Sequence, residues 1–207
     1  MSKLATGLVA MILLISILLI GITTATILSD SNSGFTEEAN LNQITNEVVD
    51  EISTYIQIRD QKGKYYDIDG VKKIQKIAIL ISPLVTQDIS VSKLTIQLDN
   101  GDSVHMLTYS SYSQSLDQNS IFEHKIWDSL TGKNFGLISL HDADNSLVNF
   151  DVINDYSDNA YLVFRLHLDM MLAKHDKITV TLFPSTGLKK VIELEAPLPI
   201  KSVITFE

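Results

Sequence analysis

The sequence predicts an α+β chain: a long N-terminal helix, apolar on every side, followed by a β-sandwich. Three observations carry that prediction. Residues Leu4 to Leu28 hold no charged side chain. Leu41, Ile44, Val48, Ile52, Tyr55 and Ile56 then recur at the three-to-four spacing of one helix face. Beyond Gly63 the apolar period falls to two, with turn residues between short runs. The chain is therefore divided into a helical part, residues 1–60, and a β domain, residues 61–207.

The opening segment sets what the rest must do. As a helix rising about 1.5 Å per residue, Leu4–Leu28 would be about 37 Å long, enough to cross a hydrocarbon layer of about 30 Å. A helix apolar all round has no face for water, so it must be enclosed by lipid or by other copies of itself. A cleaved secretory signal fits poorly, because the apolar run exceeds the usual 7–15 residues and no A-x-A-like site closes it. A retained helix is the better reading. Small residues at Ser2, Thr6 and Ala10, four apart, and again at Gly21 and Ala25, would let helix backbones approach closely.

Ser29-Asp30-Ser31-Asn32-Ser33-Gly34 is a turn-rich break. Thr36 as N-cap, with Glu37 and Glu38 in the first turn, starts a second, amphipathic helix over about residues 37–58. Its Glu47, Asp50 and Glu51 read as a solvated face. Gln61 to Lys64 ends it. Strands follow at Ile74–Pro83, entered through the Asp69-Gly70 turn, and at Leu94–Leu98 and Val104–Tyr109. The last two are joined by Asp99-Asn100-Gly101-Asp102, the strongest hairpin signal in the chain. Ser110–Ser120 reads as a polar loop, and Phe122–Leu130 fits either a strand or a short helix. Further strands are expected at 135–140, 147–153, 161–168, 177–183, 190–194 and 202–206. Short strands at regular spacing predict a sandwich.

Composition narrows function. The 207 residues carry a net charge of −9 and no Lys/Arg run, which argues against nucleic acid as a partner. Cysteine is absent, so no disulfide or thiolate metal site exists. No G-x-S-x-G, H-E-x-x-H, G-x-x-x-x-G-K-[ST] or G-x-G-x-x-G motif occurs, and the five histidines are scattered. His141-Asp142 and His175-Asp176 are neighbours in sequence, but neighbours on a strand point apart and form no dyad. An enzyme is thus the least supported class, and no organic cofactor is implied. Two oxygen-rich turns, Asp99–Asp102 and Asp142–Asn145, carry the hard ligands that Ca²⁺ takes. Turn chemistry accounts for both, since Asp and Asn bond their own backbone there. Asp142 and Asp144 are the ligand pair if one turn does bind Ca²⁺. No N-x-[ST] acceptor for N-glycosylation is present.

The order of motifs resembles the archaellins, the filament subunits of the archaeal swimming organelle. The resemblance runs through the helical N-terminus ending near Val48–Ile58, the step through Gly63 into Ile74–Pro83, and the segment Leu94-Thr95-Ile96-Gln97-Leu98. It continues through Val180–Phe183, Pro184, Gly187, Val191–Leu194, Pro197 and Val203–Phe206. It implies a type IV pilin-like helix carrying an immunoglobulin-like β-sandwich. The function it implies is a structural subunit of the extracellular archaellum filament, partnered by itself or a paralogous archaellin and held in the membrane before assembly. Ala5 replaces the Glu common at that position in bacterial type IV pilins, which favours an archaellin. An archaeal adhesion pilin, or a membrane-anchored β-sandwich accessory of the archaellum motor, is the alternative.

Overall fold

The computed structural model describes Ile15 and residues 56–206 apart from 85, 87, 118–119 and 185–188. The apolar segment, its small residues Ser2, Thr6, Ala10, Gly21 and Ala25, the amphipathic stretch up to residue 55, and Gly187 all lie outside the described residues. Among the described residues no helix is long and apolar enough to cross a membrane.

Residues 56–206 form a mostly β-sheet domain of eleven strands. In chain order these are β1 (Ile56–Ile68), β2 (Val71–Pro83), β3 (Ile89–Ser90), β4 (Thr95–Asp99), β5 (Val104–Ser115) and β6 (Asn134–His141). After a short helix α1 (Ser146–Phe150) come β7 (Val152–Ile153), β8 (Asn159–Arg165), β9 (Lys177–Phe183), β10 (Lys190–Glu195) and β11 (Val203–Thr205). Nine of them make one sheet in the order β10-β9-β4-β5-β6-β8-β2-β1-β11, and β3 pairs with β7 separately. Every neighbouring pair is antiparallel except β5 and β6, which run parallel.

Two apolar clusters explain the arrangement. One gathers side chains from all nine strands, from Leu194 of β10 and Val180 of β9 to Ile79 of β2 and Tyr65 of β1, with Ile204 of β11 against it. A sheet whose two ends feed one cluster must curl over it. The other cluster lies on the opposite face of the three central strands, where Ala78, Ile138, Tyr161 and Val163 meet Phe122, Ile126, Trp127 and Leu130. Strands β2, β6 and β8 are thus buried on both faces. They accordingly read as near-continuous apolar runs, such as Ile77-Ala78-Ile79-Leu80-Ile81, instead of alternating.

The expected β2, β4–β5 hairpin, β6, β9 and β10 are all present, and several other expectations need correction. Ile56–Ile58 open a thirteen-residue strand and do not end a helix. Gln61–Lys64 are paired in mid-strand with β2 on one side, and Lys62–Lys64 with β11 on the other. Gly63 is there for space, not as a breaker: a Cβ on it would stand 3.0 Å from the Phe206 ring and 3.1 Å from Ile74. Ser110–Ser115, read as loop, continues β5: after an irregularity between Tyr109 and Ser113, Ser113–Ser115 pair in parallel with Leu137–Ser139 of β6, whatever their side chains. Phe122–Leu130 resolves into two 3₁₀ helices, Ile121–Glu123 and Lys125–Ser129. Residues 147–153 are mostly helix, because the Asp142 and Asp144 carboxylates accept from the Val148 and Ser146 N–H groups and cap a turn there. The strand expected over 161–168 ends at Arg165, and Leu168–Met170 is a 3₁₀ turn.

Candidate functional site

Register builds the one acidic site that the sequence singles out. Strands β6 and β8 pair to their ends, with His141 opposite Asn159. The residues flanking that pair, Asp142 after β6 and Asp158 before β8, are therefore brought side by side. Asp144 joins them from the turn into α1, and one carboxylate oxygen from each of the three lies within 4.8 Å of the others.

Most of the oxygens are already engaged. Asp144 accepts from the Ser146 N–H at 3.0 Å and from Asn154 Nδ2 at 2.9 Å. Asp158, 2% exposed, accepts from the N–H groups of Asn154 and Asp155, each at 3.0 Å. Asp142 accepts from the Val148 N–H at 3.2 Å through Oδ2, while its Oδ1 is buried with no hydrogen-bond partner among the described residues. The hydrogen bond from Asn154, followed by those from Ser146, holds the Asp144 carboxyl down at about 2. Burial pushes the Asp142 carboxyl up, against the pull of the Val148 and Leu147 N–H groups. A donor set made only of hard oxygens, with one buried oxygen left over, fits Ca²⁺.

Sequence reasoning named Asp142 and Asp144 and missed Asp158. Nothing in the local sequence marks it, since it reaches the other two only through the β6–β8 pairing. The Asp99–Asp102 turn behaves as turn chemistry: Asp99 Oδ1 accepts from the Gly101 N–H at 2.8 Å, and Asn100 Oδ1 from Asp102 and Ser103 at 3.2 and 2.8 Å. The sequence neighbours form no dyad. His175 faces Glu195 across 3.5 Å, while Asp176 accepts from the Ala173 N–H. The helix-packing residues Ser2, Thr6, Ala10, Gly21 and Ala25 cannot be placed beside this site, being outside the described residues.

Comparison with known proteins adds the family context. A family model described as archaeal-type flagellin matches residues 5–194. Flagellin B3 of Methanocaldococcus jannaschii is 25% identical over 201 residues, 93% of this chain and 90% of that protein. The crystal structure of archaeal flagellin FlaB1 from the same organism aligns with a TM-score of 0.63 at 22% identity, covering 73% of this chain and 95% of that one. The archaeal flagellum structure of Methanospirillum hungatei strain JF1 aligns with a TM-score of 0.56 at 11% identity, covering 97% and 99%.

Proposed function

The chain belongs to the archaeal-type flagellin family, and from that premise we propose how it acts as a filament subunit. It is a structural subunit of the archaeal flagellum, the archaellum, and works outside the cell by assembling with further flagellin subunits; it is not an enzyme. The family match over residues 5–194 carries this reading, because it spans the apolar segment and the β domain together.

In the proposed arrangement Leu4–Leu28 is a type IV pilin-like helix that packs against copies of itself, and the β domain is an immunoglobulin-like sandwich. A head-to-tail contact that does not close on itself generates such a polymer. Burying one Leu or Ile side chain is worth about 1.5–3 kcal/mol relative to water, so this segment has only lipid or other copies of itself as a home. Lipid is as apolar as a neighbouring Leu, and passage from membrane to filament therefore depends on close packing instead. Ser2, Thr6, Ala10, Gly21 and Ala25 supply that close approach. Asp142, Asp144 and Asp158 are the residues proposed to hold Ca²⁺, tying the end of β6 to the start of β8.

Replacing Gly21 or Ala10 by Leu tests the packing role. Membrane insertion should survive in both variants, while electron microscopy of sheared surface fibres should find filaments missing. Normal filaments from both would overturn it.

A further inference from the structure

A second cluster of metal-ligating side chains lies away from the acidic site, and its chemistry is different. His105 is the second residue of β5, on the core-facing side with Leu107 and Tyr109 but at the rim of the sheet, where it is half-buried. His167 follows β8 and leads into the 3₁₀ turn Leu168–Met170, which contains Asp169. Strands β5 and β8 are not neighbours, since β6 lies between them. The three residues therefore meet only because the chain leaving β8 turns back across the end of the sheet.

The meeting is close. His105 Nε2 lies 3.0 Å from Asp169 Oδ2, and His167 Nδ1 lies 2.5 Å from Asp169 Oδ1. The two imidazole centroids are 5.3 Å apart, and the three ligand atoms all fall within 4.8 Å of one another. The backbone beneath is held from several sides. Asn100 Nδ2, in the β4–β5 turn, donates to the Asp169 carbonyl at 3.1 Å, and the Met170 N–H donates to the His167 carbonyl at 2.9 Å. Met170 itself is 1% exposed. His167 and Asp169 face solvent, which leaves one side of the cluster open.

We propose that His105, His167 and Asp169 form a binding site for a divalent transition metal of the Zn²⁺ class. Two imidazole nitrogens and one carboxylate are the ligand types of Zn²⁺, Ni²⁺ and Cu²⁺, and a poor match for Ca²⁺, which prefers oxygen alone. Each histidine points at the carboxylate the same nitrogen that it would turn toward a metal, and on binding that nitrogen would be the unprotonated one, with the ring's remaining proton on its other nitrogen. Tetrahedral Zn²⁺, with ligands about 2.0–2.2 Å away, spaces its ligand atoms roughly 3.3–3.5 Å apart. The observed contacts need to open by less than about 1 Å to reach that spacing. Water would complete the coordination on the open side. A bound ion would pin the start of β5 to the connection between β8 and β9, two places that no strand pairing links directly.

The test is calorimetric titration of the untagged full-length chain in detergent with ZnCl₂, in a buffer already containing Ca²⁺. One saturable Zn²⁺ site per chain is expected. His105→Gln and His167→Gln should each weaken it at least about tenfold, in line with the loss of a ligand or its immediate support. His175→Gln, which removes an imidazole paired with Glu195 elsewhere, should leave it unchanged. Zn²⁺ should also raise the Tm of the wild-type chain and not that of His167→Gln. Absence of saturable binding overturns the site. So does retention of affinity in both variants, or an equal loss in His175→Gln. None of these outcomes bears on filament formation, so the reading of the chain as a filament subunit stands or falls separately.

Discussion

Gly136 offers the sharpest test of how the second apolar cluster, around Trp127, is built. It lies in β6 opposite an irregularity in β5, where four steps from Tyr109 to Ser113 face two steps from Phe135 to Leu137. Two extra residues bulge out of β5 there, with Ser111 at a φ of 59°. The bulge brings the Tyr112 carbonyl over β6. A Cβ on Gly136 would stand 3.1 Å from that oxygen, 2.8 Å from Ile126 Cδ1 and 3.3 Å from Ile126 Cγ1. Gly136→Ala gains about 0.4–1 kcal/mol by restricting the unfolded chain. Against this, over-packing a filled site costs about 1–3 kcal/mol. The net expectation is a loss of about 1–2 kcal/mol, or roughly 3–8 °C in Tm for a domain of this size. Trp127 makes the measurement direct: it is the single tryptophan, 1% exposed, stacked on Phe122 and within the same cluster as Ile126. Its emission during urea unfolding of the full-length chain reports this cluster. Ile126→Val removes the nearest clashing atom at its own cost of about 0.5–1.5 kcal/mol. The double variant should therefore be more stable than the sum of the two losses by at least about 0.5 kcal/mol. Gly70→Ala is the comparison. There φ is +78° and no atom lies within 4 Å, so the cost is backbone strain and should add independently to Ile126→Val. A Gly136→Ala chain as stable as wild type, or strict additivity with Ile126→Val, would refute the steric account.

Two further outcomes are expected. Lys76, 9% exposed, sits over Trp127 at 4.8 Å and donates to the Phe122 carbonyl at 3.1 Å, and burial is the main cause that lowers its ammonium from 10.5 to about 8. Between those pH values the unfolded chain holds a proton that the folded chain lacks, so this residue's contribution to stability rises as pH climbs from about 8 to 10. Denaturation of wild type and Lys76→Met across pH 7–10 should show the wild type gaining roughly 2–3 kcal/mol on the variant; parallel curves would refute the buried-ammonium reading. At the acidic site, Ca²⁺ at about 100 times its Kd should stabilise the full-length chain by about 2.7 kcal/mol, raising Tm by roughly 5–10 °C. Scanning calorimetry with and without a chelator checks this, and Asp144→Asn should abolish the response. An unresponsive wild type would remove Ca²⁺ from the proposal.

The sequence by itself determined what depends on neighbours along the chain. The charge-free run from Leu4 to Leu28 is an expectation of the sequence alone, resting on a segment without polar relief, and lies outside the described residues except for Ile15. The hairpin of β4 and β5 is legible because alternation and the Asp-Asn-Gly-Asp turn act within fifteen residues. Strand β9 is legible to its ends for the same reason, since polar and apolar residues alternate from Lys177 to Leu182. Tertiary structure alone decided which strands lie side by side. Ser113–Ser115 look like loop until β6 pairs with them in parallel, and Gly63 looks like a breaker until Phe206 and Ile74 close over it. The same holds for the sites. Asp158 meets Asp142 through the register of β6 on β8, and His105 meets His167 across 62 positions because the chain folds back over the sheet end. Local periodicity records which face of a strand is buried; it carries no record of the partner that does the burying, because that partner is chosen by the packing of the whole core.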